Sequence, residues 1–304
     1  MFTLNNHLKY TIDDRLYGFR KNSFESYKVM VGRIDQDQYK KSSYQKELLR
    51  TADSVYQEFG KDLVVFLSGG TDSEIALRSF LDIGFKPKCA IIAFKGGYNS
   101  SDVMGAVDLA KSLEVPYEIL HFDVKNFMRS GEASDFGKKL QCTQVTYLTV
   151  YYHILKLGFP AVMGGELLLK RNTQLDESKW YYCLRENEDG SAMRFTNLYN
   201  LPLVNEYFSY TPELMLYYLE HPDIIKLVTT KYNYKLSSVS SKNNILRKLC
   251  PAVEKRVKTH GYENLLGFNF ESYRKLASEQ IARLESSLDG IYYDEVIGML
   301  KGQI

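Results

Sequence analysis

The sequence has few of the features from which a function is usually inferred. Its net charge of +2 is too small to indicate nucleic acid or an anionic membrane as a partner. No apolar run approaches the roughly 20 residues that span a bilayer, and the N-terminal stretch MFTLNNHLKYTIDDR lacks the pattern of a signal peptide. The cysteines are far apart and form no CxxC pair, which indicates neither a zinc site nor a redox pair: Cys89, Cys142, Cys183 and Cys250. We therefore expect a cytoplasmic protein with free thiols and no membrane partner.

The composition is that of a folded globular protein. Of the 304 residues, 44% are hydrophobic and 25% are charged, so most of the chain can bury a core. This length suits one large domain or two ordinary ones.

Apolar strands alternate with helical patterns through residues 63–122. The strands read LVVFL (63–67), KCAIIAF (88–94) and YEILHF (117–122), and helical spacing of apolar residues fills 73–83 and 102–113. Strands that alternate with helices of this length predict a parallel sheet with helices on both faces. The fold class expected is therefore α/β and Rossmann-like.

The flanking regions have other patterns. Residues 1–43 predict an extension of short strands and turns, and residues 44–169 form the predicted α/β domain. Helical spacing over 43–59, ended by Gly60, predicts a helix at its start, and its later part holds a helix over about 138–157 and a strand at 160–165. Residues 170–304 predict a mostly helical C-terminal domain. It begins with a polar, aromatic-rich stretch of few periodic patterns (170–205) and continues with helices at 211–221, 241–258 and 269–288.

The first predicted strand ends in a glycine-rich turn, which we call the first glycine loop. It consists of Ser68, Gly69, Gly70, Thr71, Asp72 and Ser73. A helix N-terminus presents free N–H groups and partial positive charge, and glycines let the backbone close around a ligand. This pattern predicts a site for a phosphate-type anion. Because a carboxylate would repel phosphate, Asp72 indicates a magnesium ion between them.

Two common phosphate loops do not fit. A Walker loop needs Lys followed by Ser or Thr after its last glycine, and no GK[ST] occurs in the chain. The dinucleotide fingerprint GxGxxG is also absent from this turn.

The stretch FLSGGTDS (66–73) resembles the SGGxDS loop of the PP-loop ATP pyrophosphatases, the adenine nucleotide alpha hydrolase-like superfamily. The resemblance implies that the first glycine loop binds the pyrophosphate of ATP, with Asp72 on Mg²⁺. It also implies cleavage of ATP between its α- and β-phosphates, with adenylation of a carboxylate or carbonyl oxygen.

Within that superfamily, the chain most resembles the synthase domain of asparagine synthetase. The likeness covers roughly residues 44–265, through stretches such as QCTQVTYLTVYYHILKLGFPAVMGGE and LPLVNEYFSYTPELMLYYLE. It implies a ligase that activates a small carboxylate as acyl-AMP and then forms an amide. Only some 60 residues precede the loop, which leaves no room for a glutaminase domain. Ammonia would therefore come from solution or a separate amidotransferase, or an amine would be the second substrate.

A second glycine loop (residues 163–169, MGGELLL) departs from the family's SGEGSDE. The resemblance places Gly164 and Gly165 against the nucleotide and Glu166 as the second magnesium ligand. Leucines replace the later acidic pair, so Glu166 is alternatively an exposed loop carboxylate.

Further residues are candidates by position in the family. Phe94, after the second strand, would contact the nucleotide, or belongs to a plain βα loop. Lys170 and Arg171 would stabilise the departing pyrophosphate, or are solvated surface cations. Lys258 matches the family's C-terminal basic pair and would contact the acyl-adenylate, or marks a polar helix end.

Two other functions stay open. The chain could modify a nucleobase in tRNA or DNA, which its near-neutral charge disfavours. It could also be an ATP-binding module that lost catalysis when the second glycine loop changed.

Overall fold

The structure is a computed structural model that describes residues 7–19, 21, 25–165, 169–172, 176–183, 189–229, 245–253, 261–262, 265 and 290–303. Its first strands are β1 (Lys9–Ile12), β2 (Arg15–Leu16) and β3 (Tyr27–Met30), which form an antiparallel sheet of order β2-β1-β3. These short strands were predicted. The helix α1 (Gln36–Lys40), which Asp35 caps at its N-terminus, was not.

Helix α2 (Tyr44–Phe59) begins and ends where the sequence predicted. The Ser43 side chain accepts a hydrogen bond from the N–H of Lys46, which satisfies one free donor of the first turn. Gly60 ends the helix with φ of +75°, a conformation that glycine adopts at little cost.

The predicted alternation of strands and helices is confirmed. Strand β4 (Val64–Phe66) leads into α3 (Thr71–Asp82), β5 (Lys88–Phe94) into α4 (Ser100–Ser112), and β6 (Tyr117–Phe122) follows.

The helix predicted over about 138–157 is wrong in its boundaries, because the region holds separate helices. After α5 (Val124–Arg129), helix α6 (Glu132–Leu140) ends before α7 (Val145–Leu157) begins. Gln141 between them has φ of +49°, and the Cys142 N–H donates to the Gly137 carbonyl at 2.9 Å. A side chain at Gly137 would place its Cβ 2.5 Å from the Cys142 oxygen, so the glycine permits this turn.

The stretch expected to be irregular, 170–205, is largely regular, so that expectation is wrong. Strand β7 (Ala161–Val162) is followed by β8 (Leu169–Asn172) and β9 (Asp176–Cys183), which pair antiparallel. Helix α8 (Asp189–Tyr199) and strand β10 (Leu203–Val204) follow. Strand β9 contains aromatic residues such as Trp180, a residue type that is enriched in strands because it fits their pleated, half-buried surface.

The central sheet has five parallel strands in the order β10-β7-β4-β5-β6. Side chains of β4 point alternately to its two faces. Val65 belongs to a core cluster with Leu48 of α2 and Ile75 of α3. Val64 belongs to a second cluster with Leu148 of α7. Helices therefore cover both faces, as the predicted α/β fold requires.

The described residues after 211 are mainly helical, as predicted, and they include a strand that was not predicted. It contains α9 (Pro212–Leu219), α10 (Pro222–Thr229), helical residues 245–249 and α11 (Tyr293–Lys301). Strand β11 (Gly290–Tyr292) pairs with β9, so the second antiparallel sheet has the order β11-β9-β8. The helix expected at 269–288 lies outside the described residues.

Within the described ranges, none of the helices has both the length and the apolar character needed to cross a membrane.

Candidate functional site

The first glycine loop lies at the carboxyl end of β4, the middle strand of the parallel sheet, and leads directly into α3. Gly70 is the N-cap residue of that helix and contributes no side-chain hydrogen bond. The first-turn N–H groups of α3 therefore have no side-chain acceptor from the cap, as an anion site requires.

Two serines set the shape of the first glycine loop. The Ser68 N–H donates to Ser73 Oγ at 3.2 Å, and Ser73 Oγ lies 3.1 Å from the Gly70 carbonyl oxygen, to which it donates. Ser73 is buried, whereas Ser68 is exposed. Ser73 thus ties the two ends of the turn together.

Gly69 is required by close packing as well as by its backbone conformation. Its φ is +72°, and a Cβ there would lie 2.7 Å from the carbonyl oxygen of Asp102 in the first turn of α4. The loop is therefore braced against a second helix.

Gly164 of the second glycine loop lies directly against the first glycine loop. A Cβ on Gly164 would lie 2.7 Å from the Cβ of Asp72 and 2.7 Å from the backbone nitrogen of Ser73. The carboxyl ends of β4 and β7 thus meet at Asp72.

Two residues that sequence reasoning missed lie on the other side of the second glycine loop. Asn205 and Glu206 follow β10. A Cβ on Gly165 would lie 2.5 Å from the backbone carbonyl oxygen of Asn205 and 2.8 Å from Glu206 Oε2. The Asn205 amide nitrogen donates to Glu206 Oε1 at 3.3 Å, and both residues are buried. The available signal was a polar pair directly after the apolar run LPLV.

Tyr44, the first residue of α2, interacts electrostatically with Asp72. The phenol is buried, and its pKa is raised well above the ordinary value, mainly by burial and further by its neighbours Cys250, Tyr218 and Asp72. Tyr44 is therefore a neutral group near the loop carboxylate.

The loop after β5 is held by contacts within it and with neighbouring elements. Phe94 is only 6% exposed and packs edge-on against Tyr262, with ring centroids 5.0 Å apart. Asn99 Oδ1 accepts from the Phe94 N–H at 2.8 Å, and Lys125 Nζ donates to the Tyr98 hydroxyl at 2.6 Å. The ring of Phe94 is part of the core at this edge, and its contact with a nucleotide stays a prediction.

The remaining predicted site residues are placed only in part. The backbones of Lys170 and Arg171 lie in β8, opposite Tyr181 and Trp180 of β9. Glu166 and Lys258 lie outside the described residues.

Asp72 is the one predicted magnesium ligand that the described residues include, and its binding of the metal stays a prediction. Among the described residues, no group of three or more His, Cys, Asp or Glu side chains could hold a metal. Magnesium is usually bound by one or two carboxylates together with substrate phosphates, so the protein alone need not complete its shell. Asp72, in the first turn of α3, suits that role.

Comparison with solved structures finds weak likenesses. An NMN synthetase from Francisella tularensis has 17% identity and a TM-score of 0.34, over 88% of this chain and 94% of that chain. An NH3-dependent NAD synthetase from Campylobacter jejuni has 12% identity and a TM-score of 0.35, over 81% and 94%. A predicted subunit of tRNA methyltransferase from Methanocaldococcus jannaschii has 16% identity and a TM-score of 0.32, over 73% and 88%. No protein-family model and no curated protein matches the chain. Likenesses at this level assign it no activity.

Proposed function

We propose that this chain is a PP-loop ATP pyrophosphatase that adenylates a small carboxylate, releases pyrophosphate and then forms an amide. The observation that carries the proposal is the place of the first glycine loop. It joins the carboxyl end of the middle strand to the N-terminus of α3, where ligands collect in open parallel sheets.

The β- and γ-phosphates of ATP would lie against the N–H groups at the start of α3. The helix dipole favours negative charge there, and Gly69 and Gly70 let the backbone approach the anion. The Ser68 hydroxyl lies 3.2 Å from Ser73 Oγ, and it would donate to the anion by turning away from that contact, whereas Ser73 keeps the turn closed.

Asp72 would hold magnesium jointly with the phosphate oxygens. Bound magnesium would neutralise the charge that builds on the departing pyrophosphate. Glu166 and Lys258 stay in the proposal, as a metal-binding and a cationic group, on the strength of the family resemblance alone. Lys170 and Arg171 stay in it as cations that follow the second glycine loop in the sequence.

In the reaction, a carboxylate oxygen of the substrate attacks the α-phosphorus of ATP, and the bond from that phosphorus to the bridging oxygen of the leaving pyrophosphate breaks. Ammonia or an amine then attacks the acyl carbon, loses a proton and displaces AMP. The described residues offer an anion site and a metal-binding carboxylate, so the protein would act mainly by positioning and charge stabilisation.

ATP–pyrophosphate exchange with a panel of amino acids and small carboxylates tests this function. Asp72→Asn should lower the exchange rate by about a hundredfold, because it removes the carboxylate that would hold the magnesium ion against the leaving group. Asp82→Asn is the matched control, since Asp82 is an exposed carboxylate at the other end of the same helix, and this variant should exchange like the wild type.

The other outcomes each contradict the proposal. If Asp72→Asn catalyses exchange at the wild-type rate, Asp72 does not belong to the site. Exchange that requires tRNA or DNA instead of a carboxylate would indicate nucleobase modification. ATP binding without exchange for any acceptor would indicate a binding module.

A further inference from the structure

Gly164 and Gly165 of the second glycine loop lie between two other segments of the carboxyl edge. Gly164 has no room for a Cβ because the backbone and Cβ of Asp72 lie on one side. Gly165, with φ of +68°, has no room for a Cβ because the backbone oxygen of Asn205 and the Cα of Glu206 lie on the opposite side. Contacts therefore run in series from the end of β10 to the first turn of α3.

Glu206 is a buried carboxylate that lies beside Gly165. The residue is only 6% exposed, and a carboxylate at this depth is kept in place by the contacts that replace water around it. Oε1 accepts from the Asn205 amide, which orients the carboxylate so that Oε2 faces Gly165.

We propose that Glu206 is a positioning residue for Asp72, acting through Gly165 and Gly164. The inference rests on the proposed function, because that function assigns Asp72 to the metal. A close-packed backbone transmits small displacements, since it has little free volume to absorb them. The shape of Glu206 thus fixes where the Asp72 carboxylate meets magnesium and pyrophosphate.

Binding of Mn²⁺ in the presence of pyrophosphate, followed by electron paramagnetic resonance, tests the inference without requiring turnover. Glu206→Ala should weaken Mn²⁺ binding by about 10- to 100-fold, the usual cost of removing a partner that orients a metal ligand. Glu206→Gln keeps the shape and should restore Mn²⁺ affinity to within about twofold of the wild type, because the role is positioning.

Gly165→Ala gives an independent test, and Gly158→Ala is its matched control. Gly158 has a similar φ of +72°, but none of the described residues other than its chain neighbours has an atom within 4 Å of the position that its Cβ would take. Both variants carry the backbone strain of alanine at positive φ. Only Gly165→Ala should weaken Mn²⁺ binding, by about tenfold or more. If Gly165→Ala does not fold, the two Glu206 variants decide.

Asp72→Asn separates failure of the inference from failure of the proposed function. If Asp72→Asn loses Mn²⁺ binding while Glu206→Ala and Gly165→Ala keep it, the positioning role is wrong and the function stands. If Glu206→Gln loses as much affinity as Glu206→Ala, the Glu206 charge acts directly, which also overturns the inference. If Asp72→Asn binds Mn²⁺ like the wild type, the proposed function fails with it.

Discussion

At the scale of single residues, His153 shows how burial controls ionisation in this fold. The imidazole is buried on α7, edge-on to the rings of Phe122 and Tyr152. Burial, together with the charge of Lys156, lowers its pKa to about 4 from the ordinary 6.5. The folded protein therefore keeps His153 neutral at neutral pH.

This shift predicts a loss of stability in mild acid. Because the folded pKa is depressed, the unfolded chain binds a proton first as the pH falls through 6.5. His153 should therefore lower the free energy of unfolding by about 2 kcal/mol between pH 7 and pH 5. Urea denaturation of His153→Gln at both pH values should show a correspondingly smaller loss.

His121→Gln is the control for this pH dependence, because His121 is exposed on the neighbouring strand β6. It should keep the pH dependence of the wild type. Equal pH dependence in wild type and His153→Gln would show that His153 contributes nothing to the effect.

At the scale of elements, the first glycine loop depends on α4 for its place. Gly69→Ala should destabilise the fold, because the new Cβ would overlap the Asp102 carbonyl oxygen and alanine is strained at φ of +72°. The two effects together should cost about 2–5 kcal/mol in the free energy of unfolding, measured by urea denaturation.

Gly97→Ala separates strain from overlap. Gly97 has the same φ of +72°, and in the part of the chain that the structure describes no atom beyond its chain neighbours lies within 4 Å of the position that its Cβ would take. It should cost only the strain, about 1–2 kcal/mol. If the two variants were equally stable, the close packing of the loop against α4 would be disproved.

The elements that could be predicted from the sequence are those with enough residues to show a pattern. Strand β5 and helix α2 were predicted at their observed boundaries because long apolar runs and capping residues mark them. Strand β10 has two residues, too few for a periodic signal, and it was missed. The turn at Gln141 was missed because it depends on a contact between Gly137 and Cys142, which apolar spacing does not report.

At the scale of the whole molecule, the candidate site combines segments that are far apart in the chain. The first glycine loop was predicted because its chemistry is contained in six adjacent residues. Glu206 could not be predicted, because its place beside Gly165 follows from the pairing of β10 with β7. Strand order is a tertiary property that local sequence does not encode.

The central claim is that the first glycine loop binds the pyrophosphate half of ATP, and a crystal structure with ATP and Mg²⁺ tests it most directly. The account predicts the β- and γ-phosphates against the backbone N–H groups at the start of α3, with Asp72 on the metal. Nucleotide bound elsewhere, with this loop empty, would contradict it.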